Sequence, residues 1–231
     1  AYERATQACA AALGVEAAQM LLTNGLDEGI LTVALAQVPR DGSAEAAVVE
    51  PAYGMFGPSA RLAGARVVAV APPPHLRFDL DAVRAAITPA TRLVLLANPN
   101  NPTGATVPRA GILALAAALP PGGAVFVDEA YADFEGHSVI GDVARTPNLC
   151  VGRTFAKAYG LAGMRIGCLV GHADVIRRLR GAIAPFSVNV FAAAALEAAL
   201  ADLGPVERGV GRVGPWRGPR WEPRPRRGRA R

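Results

Sequence analysis

The sequence predicts an α/β domain built on a mostly parallel sheet flanked by helices. Three observations carry this. Short runs rich in Val, Leu and Ala are almost continuously apolar, the pattern of strands buried on both faces. They alternate with longer helical patterns, the order that builds a parallel sheet with crossover helices. Asn, Asp, Tyr and Lys groups able to do chemistry follow directly after the strands, where open α/β sheets bind ligands.

Taken in order, a helix is expected over residues 3–13. Thr23-Asn-Gly-Leu-Asp-Glu28 leads into a second, over 27–38. A strand at 47–50 is followed by a helix at 54–64 and a strand at 66–70. Asp79 offers a capping oxygen to a helix at 79–87. The strand at 92–97 runs into Asn98-Pro-Asn-Asn-Pro-Thr-Gly104. Pro108 starts a helix at 108–119, because its missing N–H is not needed in a first turn. Strands follow at 124–128, 148–151 and 165–170. Abundant alanine favours the closing helices at 173–182 and 188–202. There is no internal repeat and no Gly-x-Gly-x-x-Gly.

The chain has 231 residues, 52% hydrophobic and 19% charged, enough for one or two domains with a sizeable core. No apolar run reaches the eighteen or so residues of a membrane span, and no basic-then-apolar leader opens the chain, so a cytoplasmic protein without a membrane partner is expected. Cys9, Cys150 and Cys168 are too scattered for a disulfide framework or zinc site and read as small buried hydrophobes. The net charge is +5, yet residues 204–231 alone hold nine Arg and two Glu, so residues 1–203 are slightly acidic. That tail lacks apolar periodicity and a stacking pattern, so nucleic acid is not an expected partner. It reads as a disordered or non-native segment, the alternative being a basic RNA-binding arm.

Of the 24 basic residues one is a lysine, Lys157. An amine can lose its proton and attack a carbonyl carbon, which a guanidinium cannot. A GC-rich genome favouring arginine would also leave one lysine by chance, so its neighbours decide. Asn24-Gly-Leu-Asp-Glu-Gly-Ile30, Pro51-Ala-Tyr-Gly-Met-Phe56, Asn98-Pro-Asn-Asn-Pro-Thr-Gly104, Val127-Asp-Glu-Ala-Tyr131 and Arg153-Thr-Phe-Ala-Lys-Ala-Tyr-Gly-Leu-Ala-Gly-Met-Arg-Ile-Gly167 occur in this order. Each alone has a plain explanation: Asn101 as a turn residue, Asp128 as a solvated strand-end acid, Tyr131 as a half-buried core residue, Tyr53 as a capping aromatic, Arg165 as a surface strand residue. Together they resemble the fold-type I pyridoxal phosphate aminotransferases, and within them the histidinol-phosphate aminotransferase branch. The resemblance covers residues 1 to about 203.

The resemblance implies a large cofactor domain over 1–187, a helix at 188–203 leading towards a small domain that is largely missing, and a homodimer in the full-length form. It implies transamination between histidinol phosphate and 2-oxoglutarate, with Lys157 as catalytic residue and pyridoxal 5'-phosphate as cofactor. Asp128 would hold the pyridine nitrogen protonated, which the cofactor needs as an electron sink. Asn101 and Tyr131 would bond its phenolic oxygen, and Tyr53 would stack on its ring. The backbone of Gly25, Leu26 and Asp27, opening a helix, would bind its phosphate with Thr154 and Arg165. Alternatives are an aromatic-amino-acid aminotransferase, a threonine-phosphate decarboxylase, a non-catalytic regulator of the same fold, or a truncated pseudoenzyme. If the tail is a frameshifted reading, one of the other two frames of the coding DNA continues as ordinary globular sequence. Two frames that do not would remove that explanation.

Overall fold

The computed structural model of the protein describes residues 2–73 and 76–213. Among the described residues seven strands form one sheet: β1 (Met20–Thr23), β2 (Glu45–Val49), β3 (Arg66–Val70), β4 (Thr91–Ala97), β5 (Ala124–Asp128), β6 (Leu149–Thr154) and β7 (Gly167–Gly171). Their order across the sheet is β1-β7-β6-β5-β4-β2-β3. The five from β6 to β3 are mutually parallel, while β7 runs antiparallel to both neighbours. The α/β class with a mostly parallel sheet is therefore observed.

Helices α1 (Tyr2–Leu13), α5 (Arg109–Ala118) and α8 (Val190–Ala201) supply buried residues to one face of the sheet. Helices α2 (Gly25–Gln37), α3 (Phe56–Leu62) and α7 (Ala173–Arg180) cover the other. Strand alternation assigns the side chains to the two layers. In β4, Val94 and Leu96 join the α1/α5/α8 layer, and Leu93, Leu95 and Ala97 join the α2/α3/α7 layer. In β5, Val125 and Val127 face the first layer, and Ala124 and Phe126 the second. The same alternation places Asp128 and Thr154 on the α2/α3/α7 side and Glu129 and Arg153 on the opposite side.

Two of the sequence's helix starts are realised. Asp79 accepts a hydrogen bond from Ala82 N–H at 2.9 Å and opens α4 (Leu80–Ala85), and Pro108 precedes α5. All three cysteines are free and buried. Strand β1 was not expected: it has four residues and bonds to β7 on one side only. β3 is the opposite edge of the sheet and exposes Arg66 and Ala69, so it is not buried on both faces. Two further helices were also unforeseen, α6 (Ala132–Glu135) and α9 (Gly204–Val213). The latter lies in the first part of the basic tail, whose residues 214–231 lie outside the described residues.

Two glycines let α2 lie tightly against the sheet. A Cβ on Gly152 would come 2.6 Å from Leu26 Cδ1 and 2.7 Å from Phe126 Cζ. One on Gly167 would come 2.8 Å from the Arg153 carbonyl oxygen and 3.2 Å from Leu26 N. At Gly167 the obstacles are backbone atoms, which cannot swing aside. Gly167→Ala should therefore destabilise the protein by about 1–3 kcal/mol, measured by urea unfolding; an unchanged midpoint would show that α2 does not need this close approach.

Candidate active site

The topology brings several chain ends to one edge of the sheet. Because β7 is antiparallel to both β1 and β6, those two run the same way. The carboxyl ends of β1, β4, β5 and β6 and the start of β7 therefore share one edge. Helix α2 begins there, directly after β1, with its free first-turn N–H groups at the same edge.

An open cleft of about 540 Å³ lies at this edge. Leu26, Asp27, Tyr53, Asn101, Asp128, Tyr131, Thr154, Lys157 and Arg165 all line it, so nine of the ten residues singled out in the sequence meet. Ala97, Ala130 and Ala156 fill the wall between them. Gly25 stands behind Arg165: its φ is +72°, and a Cβ there would come 2.8 Å from Arg165 Nη2. The left-handed backbone there favours glycine, and a Cβ would also push aside the end of the flexible Arg165 side chain.

The surrounding hydrogen bonds fix several of these groups. Asn98 closes its loop by bonding Val107 N–H at 2.9 Å and the Val107 carbonyl at 3.1 Å. Asn100 donates to the Pro51 carbonyl at 3.0 Å, tying the Asn101 loop to the segment that carries Tyr53. The Tyr53 hydroxyl donates to Asp27 at 2.7 Å, and Arg165 reaches the other oxygen of Asp27 at 3.4 Å. Lys157 Nζ lies 5.6 Å from the centre of the Tyr131 ring and is exposed to the cleft. Arg165 is not the first residue of a strand, as its apolar neighbours suggested. It precedes β7 in left-handed backbone, φ 54°, and this turn directs the chain towards α2.

Asp128 is 5% exposed and accepts a 2.9 Å hydrogen bond from Ala130 N–H. Burial pushes its pKa up to about 7; the Ala130 bond opposes this, the nearby Asp27 and Glu129 charges add to it, and Lys157 draws it down. Tyr53 is pushed up to about 12 by burial and then by its bond to Asp27, so it remains a hydrogen-bond donor. The cleft is thus lined by a buried acid, an amine, and a helix start with Arg165 and the Thr154 hydroxyl. That donor set suits a ligand with a cationic nitrogen, a reactive carbonyl and a phosphate.

Behind the cleft, on the α1/α5/α8 side, lies a charged group that the sequence reading did not single out. Arg153 donates to Glu129 at 3.3 Å and to Asp133. Glu129 is fully buried and also accepts from the Ser138 hydroxyl at 2.6 Å and Val139 N–H at 2.7 Å. Burial raises its pKa, against which these bonds and Arg153 work. A charged Arg inside an otherwise apolar strand was the available signal.

The class I and II aminotransferase family matches residues 2–207, nearly all of the described chain. The chain belongs to the class I and II aminotransferases. Histidinol-phosphate aminotransferase 1 of Thiobacillus denitrificans is 43% identical over 196 residues, covering 83% of this chain and 50% of that protein. The aromatic amino acid aminotransferase of Streptomyces coelicolor is 42% identical over 158 residues, covering 67% of this chain and 43% of that protein. A crystal structure of histidinol-phosphate aminotransferase from Sinorhizobium meliloti, in complex with pyridoxal-5'-phosphate, superposes with a TM-score of 0.85 at 29% identity, covering 93% of this chain and 58% of that one. The chain spans about half the length of the curated relatives it matches. Among the described residues no helix is long and apolar enough to cross a membrane.

The raised pKa of Asp128 makes the ligand-free fold pH-sensitive. The folded value of about 7 lies above the ordinary 3.8, so the folded state holds the extra proton between them. The resulting stability is fully present below about pH 4 and is lost as pH rises through about 7. Asp128→Asn removes this slope, which amounts to on the order of a few kcal/mol. Urea unfolding from about pH 4 to about pH 8 checks it; parallel curves for the two proteins would rule out Asp128 as the titrating group.

Proposed function

We propose that this chain forms the cofactor-binding part of a pyridoxal phosphate-dependent aminotransferase, with histidinol phosphate as amino donor and 2-oxoglutarate as acceptor. The observation that carries the reading is the pairing, in one cleft, of the chain's one lysine with the buried acid Asp128, beside a helix start and Arg165. Pyridoxal phosphate, when bound, supplies an electron sink for the substrate's α-carbon. Asp128 faces the pyridine nitrogen and keeps a proton on it. A cation at that place also answers the desolvation of Asp128 itself.

Asn101 and Tyr131 donate hydrogen bonds to the phenolic oxygen, and Tyr53 covers the ring. The N–H groups of Leu26 and Asp27, the Thr154 hydroxyl and Arg165 hold the phosphate, and the bare Cα of Gly25 leaves room for the Arg165 guanidinium. Asp27 orients Tyr53 and Arg165 through its two oxygens. Lys157 Nζ would hold the cofactor through its aldehyde carbon, and as a free amine it would take up and return the proton at the substrate α-carbon.

The donor is assigned from relatives named for histidinol phosphate at 40–43% identity. An aromatic amino acid is the second reading, supported by the Streptomyces relative at 42%. We place the full-length protein as a homodimer in the cytoplasm; Phe186 and Phe191, 87% and 77% exposed, suit a surface covered by a second subunit. Adding pyridoxal phosphate to the full-length protein should produce a near-visible absorbance band that Lys157→Ala and Lys157→Arg both lack. The same band in either variant would refute the role of Lys157. Steady-state turnover with 2-oxoglutarate should be fastest with histidinol phosphate; turnover confined to phenylalanine or tyrosine moves the protein to the aromatic reading.

A further inference from the structure

We propose that Arg153 is a positioning residue: from the face of the sheet opposite the cleft, it sets the spacing between Asp128 and Lys157. The inference rests on the reading that pyridoxal phosphate occupies the cleft.

The backbone ladder between β5 and β6 ends where the chemistry begins. Its last register pair is Asp128 with Gly152, followed by one further bond from Glu129 N–H to the Gly152 carbonyl at 2.9 Å. Beyond it the two chains diverge, one towards Tyr131 and the other towards Lys157. Arg153 bridges them at this point, 9% exposed at its side chain. One arm of its guanidinium reaches Glu129, the residue after Asp128, at 3.3 Å. The other reaches Asp133, on α6 two residues after Tyr131. Arg153 itself precedes Thr154 and stands four residues before Lys157. Every member of the cluster is thus a near chain neighbour of a cleft residue, and none of the three lines the cleft.

Stability alone gives a poor account of this cluster. Buried ion pairs are often replaceable by apolar residues of similar volume without loss. What they offer beyond apolar packing is direction: a planar fork donates to its two carboxylates at fixed angles. Glu129 is anchored a second time by Ser138 and Val139 N–H, so the fork pulls against a fixed point. A lysine at 153 carries the charge without the fork and cannot hold both carboxylates in the same geometry.

The test uses the full-length protein reconstituted with pyridoxal phosphate, comparing Arg153→Met, Arg153→Lys and Asp133→Asn with the parent. Two readings are taken: cofactor dissociation constant and the pH at which the near-visible absorbance titrates. Arg153→Met and Asp133→Asn should weaken cofactor binding about tenfold and displace the titration by about one pH unit, with Arg153→Lys in between. Variants that melt at lower temperature but keep the parent's affinity and titration would overturn the inference and leave the cofactor reading standing. A parent protein that gives no absorbance band would overturn both. Should Arg153→Met fail to fold, Asp133→Asn decides by the same two readings, since it leaves the Arg153–Glu129 pair in place.

Discussion

The carboxyl group of Asp128 is held out of water at the end of β5, and much of the surrounding structure answers that one constraint. The side chain has no freedom to avoid burial. β5 is covered on both faces, and its alternation puts residue 128 on the side of Ala124 and Phe126, against the α2/α3/α7 layer. A single backbone N–H from Ala130 stabilises the ionised form, which is too little to offset desolvation. A carboxyl group so placed is poised to accept a cationic partner, and Lys157 and Arg165 stand across the same cleft.

The two sides of the sheet at this edge differ in mechanical character. On the cleft side the Arg165–Asp27 pair is about half exposed at both side chains, so it is screened and costs little to rearrange. A phosphate can draw Arg165 away from Asp27 without breaking anything the fold depends on. On the opposite side Arg153, Glu129 and Asp133 are largely buried and share several hydrogen bonds. Groups of that kind resist rearrangement, because any member left unpaired is an uncompensated buried charge. A site with an adaptable front and a stiff back can admit a ligand while holding the acid and the amine in place.

What was legible in the sequence follows from these differences. Strands β4 and β5 announce themselves because both faces are apolar and the run is continuous. β1 does not, since Met20-Leu-Leu-Thr23 is as short as one helical turn and pairs only with a strand far along the chain. Arg165 reads as the head of a strand because Ile-Gly-Cys-Leu-Val follows it, and composition does not reveal a left-handed residue two positions before β7. The cleft residues were found because a motif needs only chain order. Glu129 and Asp133 were passed over because each resembles an ordinary surface acid. Their charges are answered by Arg153, 24 and 20 residues away, and that pairing exists only once the sheet has formed.

The division of labour between the two basic residue types has the same logic. Wherever a described charge pair helps to hold the fold, its cation is arginine: Arg66 on Glu45, Arg109 on Asp142, and Arg153 on Glu129 and Asp133. A guanidinium keeps its proton and fixes its partners by a rigid fork, which suits a structural joint. Lys157 forms no salt bridge among the described residues, and its Nζ lies over the ring of Tyr131. An amine outside any described salt bridge, on an exposed turn just after β6, suits the proposed chemistry, which no arginine in the chain can perform.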